Sequence, residues 1–209
     1  MTVTRVDLLE IEEGVTIGVL ALQGDFDAHL RMLKRCGVQA KEIRTAQQLQ
    51  EVDGLVIPGG ESTTIIKLMQ RYGIDTVLQH RAKAGMPVYG TCAGLIVMAR
   101  EIEGYPQQPR LGLLDVAVAR NAFGRQVDSF EIDLMVPKLG EPPIRAVFIR
   151  APYITQTGQG VEVLAGLDGK IVLVQQSNLL GSAFHPELTD DQRLHRYFVE
   201  MVKAYQRRQ

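Results

Sequence analysis

The sequence predicts an α/β chain in three layers, with an open mixed, mostly parallel sheet carrying helices on both faces. Three observations support this expectation. In the first half, short continuous apolar runs rich in β-branched residues alternate with amphipathic stretches, the pattern of a parallel sheet covered on both sides. Some of these runs pass directly into glycines, where strands of such folds hand over to helices at ligand-binding edges. Beyond Gly104 the texture shifts to closely spaced strand-like runs with little helix between them, which adds antiparallel strands to the second half.

Taken in order, VTIGVLAL at residues 15–22 reads as a buried strand. DFDAHLRMLKRCG follows as a helix, with Asp25 as its N-cap, Gly37 as its stop and Phe26, Leu30, Leu33 and Cys36 on one apolar face. QAKEIR is a second strand, and DGLVIPGG is a third that ends in glycines. A helix is expected from Ser62 or Thr63, another over Ile74 to Lys83, then the strand PVYGT and a helix over AGLIVMAREI. LLDVAVAR, SFEIDLMV and AVFIRA read as strands. VEVLAGLDGKIVLVQQSNLLGSAF reads as an antiparallel meander with turns at Asp168-Gly169 and Ser177-Asn178. Asp190 or Asp191 is expected to cap a last helix that runs to about Gln206.

A chain of 209 residues with no linker-like segment fits one domain over residues 15–209. Residues 1–14 form an acidic N-terminal extension expected to be poorly ordered. That extension lacks the apolar core of a signal peptide, and no run approaches the ~20 apolar residues of a membrane span. A net charge of −1 gives no basic surface for nucleic acid or anionic lipid. The basic tail from Lys203 reads as a solvated helix end. Two cysteines cannot form a disulfide framework and suit a reducing, cytoplasmic setting.

The chemistry concentrates in three short stretches. Gly90-Thr91-Cys92-Ala93-Gly94 has the form G-x-C-x-G between an apolar strand and an apolar helix. In the related G-x-S-x-G elbow, glycines flank the nucleophile because the turn is too crowded for side chains. A helix start also favours a thiolate, and such sites lower a cysteine pKa from about 8.5 to roughly 3.5–7.5. The alternative is a small core thiol. Phe184-His185-Pro186-Glu187 follows another apolar strand. His185 can take the Cys92 proton and Glu187 can orient the imidazole, whereas a lone H-x-E is more often a surface turn. Finally, IPGGES at residues 57–62 ends a strand in glycines. The backbone N–H groups of Gly60 and Ala93 are candidate donors to an oxyanion. A phosphate loop is the competing reading, but neither a Walker lysine pattern nor G-x-G-x-x-G is present.

Together these stretches resemble a class I (triad) glutamine amidotransferase domain, in that family's chain order. Within the superfamily the chain is similar to the PdxT/SNO family, the glutaminase subunits of pyridoxal 5′-phosphate synthase. The resemblance rests on GVLALQGDF from Gly18, PGGEST from Pro58, GTCAG from Gly90, RNAFGRQVDSFE from Arg120, FIRAP from Phe148 and FHPELT from Phe184. It implies a flavodoxin-like sheet and a Cys92-His185-Glu187 triad that hydrolyses L-glutamine to glutamate and ammonia through a cysteinyl thioester. It implies L-glutamine binding at Gly60, Glu61, Ser62, Arg120, Ile149 and Arg150. An arginine can grip the α-carboxylate as a bidentate pair and Glu61 can pair with the α-ammonium. It further implies no cofactor, a TIM-barrel synthase subunit as partner in a hetero-oligomeric complex, and weak glutaminase activity until that partner docks and organises the oxyanion hole.

The remaining candidates take structural readings. Cys36 is expected in the core, His29 in a structural or partner-facing role and His195 at the surface. Four scattered histidines suggest no metal site. Two alternatives stand beside the main expectation. One is the glutaminase arm of another class I amidotransferase, such as imidazole-glycerol-phosphate synthase. The other is a silent scaffold subunit with a relic site.

Overall fold

The computed structural model describes residues 14–120 and 129–209. Residues 1–13 of the expected extension and most of RNAFGRQ fall outside them.

In chain order the elements are β1 (Thr16–Leu20), α1 (Phe26–Arg35), β2 (Gln39–Ile43), α2 (Ala46–Leu49), β3 (Gly54–Ile57), α3 (Ser62–Arg71), α4 (Ile74–Lys83), β4 (Val88–Thr91) and α5 (Ala93–Met98). There follow β5 (Ala99–Ile102), β6 (Leu114–Ala119), β7 (Ser129–Leu134), β8 (Ile144–Ile149), β9 (Tyr153–Thr157), β10 (Glu162–Leu167), β11 (Lys170–Gln176), β12 (Leu179–Ser182) and α6 (Arg193–Gln206). Among the described residues one sheet has ten strands, in the order β2-β1-β3-β4-β12-β11-β9-β6-β5, with β10 paired to β11. The run from β2 to β12 is parallel. The meander from β10 through β12 is antiparallel, as expected. A two-stranded antiparallel ribbon of β7 and β8 stands apart.

β1, β3 and β4 are buried on both faces. Their apolar runs leave no polar side to solvate, so helices must cover both faces. One layer contains α1 and α6, and the space for α6 is visible at Gly54, where a Cβ would stand 2.6 Å from Val202. α5 packs on the opposite face: a Cβ at Gly90 would stand 2.6 Å from the Gly94 carbonyl carbon. Asp25 caps α1 as expected, accepting from Ala28 N at 3.4 Å.

Four local expectations change. The AGLIVMAREI helix stops at Met98, because the carbonyls of Val97 and Met98 accept from Leu111 N and Leu113 N at 2.8 and 2.9 Å. With those acceptors taken, residues 99–102 become β5 beside β6. β9 is an additional strand, its polar residues alternating against β6. α2 is an additional single turn closed by a Thr45–Gln48 capping box. α6 begins at Arg193 with Gln192, not an aspartate, at its N-cap position. Asp191 instead accepts from Arg193 N at 2.9 Å and pairs with that residue's guanidinium.

Candidate active site

β4 and β12 are parallel neighbours, registered Gly181 to Gly90 and Ser182 to Thr91. The chain leaves both strands at the same edge, so Cys92 and His185 emerge side by side although far apart in sequence. Cys92 N donates to Ser182 O at 2.8 Å and His185 N to Val147 O at 2.8 Å, which fixes both backbones.

Cys92 sits at φ 48° and ψ −102°. A non-glycine residue held there stores strain of the kind found at nucleophile elbows. The flanking glycines are required by space: a Cβ at Gly94 would lie 2.1 Å from Ile57 O. The thiol is 7% exposed and approaches Ile149 O at 3.9 Å.

His185 Nδ1 donates to Glu187 Oε1 at 2.7 Å. Glu187 is held by the 3₁₀ turn Pro186–Leu188, and its side chain is buried. Burial works against charge on His185, but hydrogen bonds to Cys92 and Glu187 outweigh it and push the imidazole up to about 10. Burial likewise opposes the Glu187 carboxylate, yet His29 and His185 hold it well below the usual carboxylate range. An imidazole kept protonated between a sulfur and a carboxylate is the electrostatic arrangement of a nucleophile, its base and an orienting acid.

A cavity of about 390 Å³ opens over the sulfur. The predicted residues Gly60, Glu61, Ser62, Ala93, Arg120, Ile149 and Arg150 all line it, together with Cys92 and His185. Arg150 is held at φ 43°. Arg120 Nη1 donates to Gln108 Oε1 at 2.6 Å, and Gln108 Nε2 donates to Ser62 Oγ at 3.0 Å. Glu61 has a structural task besides facing the cavity: it caps α3, accepting from Thr63 N at 3.2 Å and Thr64 N at 2.7 Å. These bonds offset its partial burial and lower its pKa. It also lies 3.6 Å from Arg120 Nη2. A larger hollow of about 600 Å³ near Pro87, Asn178 and Tyr205 is at the opposite sheet edge and holds no nucleophile–base pair.

Three further residues shape the site beyond those expected from the sequence. Gly59 lies flat against the imidazole, where a Cβ would come within 2.4 Å of His185 Cε1. Gln23 accepts from Glu61 N at 2.7 Å. Gln108 bridges Arg120 and Ser62 from a loop with no periodicity. His195, expected at the surface, is instead fully buried behind the site. The signal was available: residues 195, 198, 199 and 202 follow helical spacing, and Phe198, Val199 and Val202 are core. Cys36 is half-buried beside the core, and burial pushes its thiol up. Among the described residues no helix is long and apolar enough to cross a membrane.

A family model described as the SNO glutamine amidotransferase family matches residues 19–204. Two relatives each named pyridoxal 5′-phosphate synthase subunit PdxT are similar over nearly their whole length. That of Thermus thermophilus is 58% identical over 187 residues, 89% of this chain and 97% of its own. That of Carboxydothermus hydrogenoformans is 57% identical over 186 residues, again 89% and 97%. A solved structure titled as a glutamine amidotransferase superposes with a TM-score of 0.87 at 55% identity, covering 91% of this chain and all of that one. A putative GMP synthase subunit from Thermoplasma acidophilum, 16% identical with a TM-score of 0.64 over 92% of this chain and 96% of its own, shares the fold. With a buried Cys-His-Glu cluster at the edge of a class I amidotransferase sheet and a family match across most of its length, this chain belongs to the SNO glutamine amidotransferase family.

Proposed function

We propose that this chain is the glutaminase subunit of a pyridoxal 5′-phosphate synthase, hydrolysing L-glutamine to glutamate and ammonia. The observation that carries the reading is the meeting of Cys92 and His185 at the ends of adjoining strands over one cavity, with Glu187 2.7 Å behind the imidazole. The family description and the similar solved structure support glutamine as the substrate, and the names of the relatives support the synthase complex.

In this mechanism the Cys92 thiolate attacks the side-chain amide carbon of glutamine. The backbone N–H groups of Gly60 and Ala93 receive the negative oxygen of the tetrahedral intermediate. Protonated His185 gives its proton to the departing nitrogen, so ammonia leaves and a thioester remains. His185, now neutral, takes a proton from water, whose oxygen attacks the thioester and releases glutamate. Glu187 keeps the imidazole in one tautomer and stabilises its cation. Arg120 or Arg150 takes the α-carboxylate, and Glu61 the α-ammonium. Ser62 and Ile149 complete the wall. The ammonia passes to a TIM-barrel synthase subunit, and the chain carries out none of the ring chemistry. The domain responsible spans residues 15–209.

Ammonia release from glutamine, measured with and without the synthase subunit, tests the reading. Hydrolysis stimulated by the partner and lost in Cys92→Ala is expected. Unchanged hydrolysis in Cys92→Ala would reject the nucleophile, and activity indifferent to the partner would reject the coupled subunit.

A further inference from the structure

Behind the catalytic pair lies a buried polar chain that this mechanism leaves unused. His29 on α1 and His195 on α6 are both 0% exposed. His29 Nδ1 is 3.0 Å from His195 Nε2. His29 Nε2 faces two oxygens, Thr91 Oγ1 at 3.2 Å and Glu187 Oε2 at 3.4 Å. Glu187 Oε1 is already taken by His185. Among the described residues neither Glu187 Oε2 nor His195 Nδ1 has a hydrogen-bond partner, and the nearest cationic group to Oε2 is the His29 edge at ion-pair distance.

Proton placement in this chain follows from those partners. A buried, ionised carboxylate oxygen tolerates an N–H opposite it but not an imidazole lone pair. The proton of His29 that matters is therefore on Nε2, shared between Glu187 Oε2 and Thr91 Oγ1. Burial depresses His195 to about 3, so its ring is neutral. A neutral His195 with its proton on Nε2 donates to His29 Nδ1 and leaves only a lone pair unpartnered, which costs less than an orphaned N–H.

We propose that His29 is a positioning residue for catalysis: its Nε2–H holds the second oxygen of Glu187 and thereby fixes the plane in which Glu187 orients His185. The proposal rests on the Cys92-His185-Glu187 reading. A carboxylate gripped at one oxygen can swing about its last torsion; one gripped at both by imidazoles from α1 and the Pro186 turn cannot. Thr91, which shares the His29 proton, immediately precedes Cys92, so the same imidazole ties the nucleophile's strand to the orienting acid. Outer partners of this kind around metal-bound histidines are worth about 10–100-fold in activity.

The test measures glutamine hydrolysis in the complex with the synthase subunit for wild type, His29→Leu, His29→Gln and Cys92→Ala. The expected result for His29→Leu is a kcat lowered about 10–100-fold with KM little changed. His29→Gln, whose amide nitrogen reaches the Nε2 position, recovers most of the loss. A folded His29→Leu with wild-type kcat, or a His29→Gln as impaired as His29→Leu, overturns the proposal. Continued activity in Cys92→Ala would remove the triad itself, whereas an inactive Cys92→Ala beside a fully active His29→Leu removes only the role of His29. Should His29→Leu fail to fold, nitrogen NMR of the wild-type imidazoles decides. A proton on His29 Nε2 supports the proposal, and a bare Nε2 overturns it.

Discussion

Replacing Gly59 by alanine tests how tightly the base is held. The added Cβ would stand 2.4 Å from His185 Cε1 and 3.1 Å from Nδ1, where ordinary contact begins at 3.4 Å, so the ring must retreat by about 1 Å. A shift of that size disturbs the 2.7 Å bond to Glu187. Gly59 is not among the residues of positive φ, so the substitution acts through the ring and not through backbone strain. A misplacement of about 1 Å at a reacting group costs roughly 100-fold in rate, equivalent to about 2.7 kcal/mol of barrier. The assay is kcat for ammonia release with the synthase subunit present, beside a denaturation curve. An overpacking cost of about 1–3 kcal/mol leaves a measurable folded population. A folded Gly59→Ala with kcat within about threefold of wild type would refute the idea that imidazole placement is rate-determining.

Three further outcomes follow from the same geometry. Gly94→Ala puts a Cβ 2.1 Å from Ile57 O, a backbone atom of β3; a loss of about 3 kcal/mol or more is expected as a lowered denaturant midpoint, and an unchanged midpoint would contradict the close packing of α5. His195 is depressed to about 3 in the folded protein, so the unfolded chain takes up the proton first as pH falls below about 6.5. Stability should therefore decline from pH 6.5 towards 3, with a shallower slope in His195→Phe; parallel slopes in urea titrations at pH 7 and 5 would exclude it. Arg120→Ala removes a charged carboxylate donor worth about 1.5–3 kcal/mol, so KM for glutamine should rise about 10–100-fold with a smaller change in kcat. A KM equal to wild type would leave the α-carboxylate to Arg150.

The parts of the molecule legible in the sequence are those where one local signal suffices. β1, β3 and β4 announce themselves because a strand buried on both faces has no polar alternation to confuse it. The elbow is legible because crowding permits only glycine at positions 90 and 94, and the structure shows both collisions. β5 is not legible. Ala99–Ile102 continues a helical pattern, and only the carbonyl acceptors claimed by Leu111 and Leu113 end the helix. The proposed catalytic residues could be named from motif and spacing. Their supporting residues could not, because Gly59 and Gln108 earn their places from contacts with segments distant in sequence. His195 is the instructive case: histidine is commonly exposed, yet its position on the apolar stripe of α6 argues for burial and the stripe prevails.

The site divides into a rigid half and an open half, and the division bears on how a docked partner could act. Cys92, His185 and Glu187 are 7%, 9% and 6% exposed and stand on strand ends or a proline-stiffened turn. Their geometry is set by β4, β12 and α1, elements of the central sheet and its cover, and offers little to adjust. The rim is different. Ile149 is 37% exposed, Glu61 and Arg150 are exposed, and Arg150 holds a left-handed backbone. Between the halves lies the Gly59–Gly60 peptide, the proposed source of one oxyanion donor. It is anchored from one place: the Gly59 carbonyl is so close to Gly24 that a Cβ there would stand 1.9 Å away, and Glu61 N is held by Gln23 Oε1 at 2.7 Å. A rotation of that peptide therefore has to displace residues 23–24, in the loop between β1 and α1, while the triad stays where it is. In the proposed complex, activation by the synthase subunit would then appear in the binding and oxyanion terms and leave the Cys92–His185 pair unmoved.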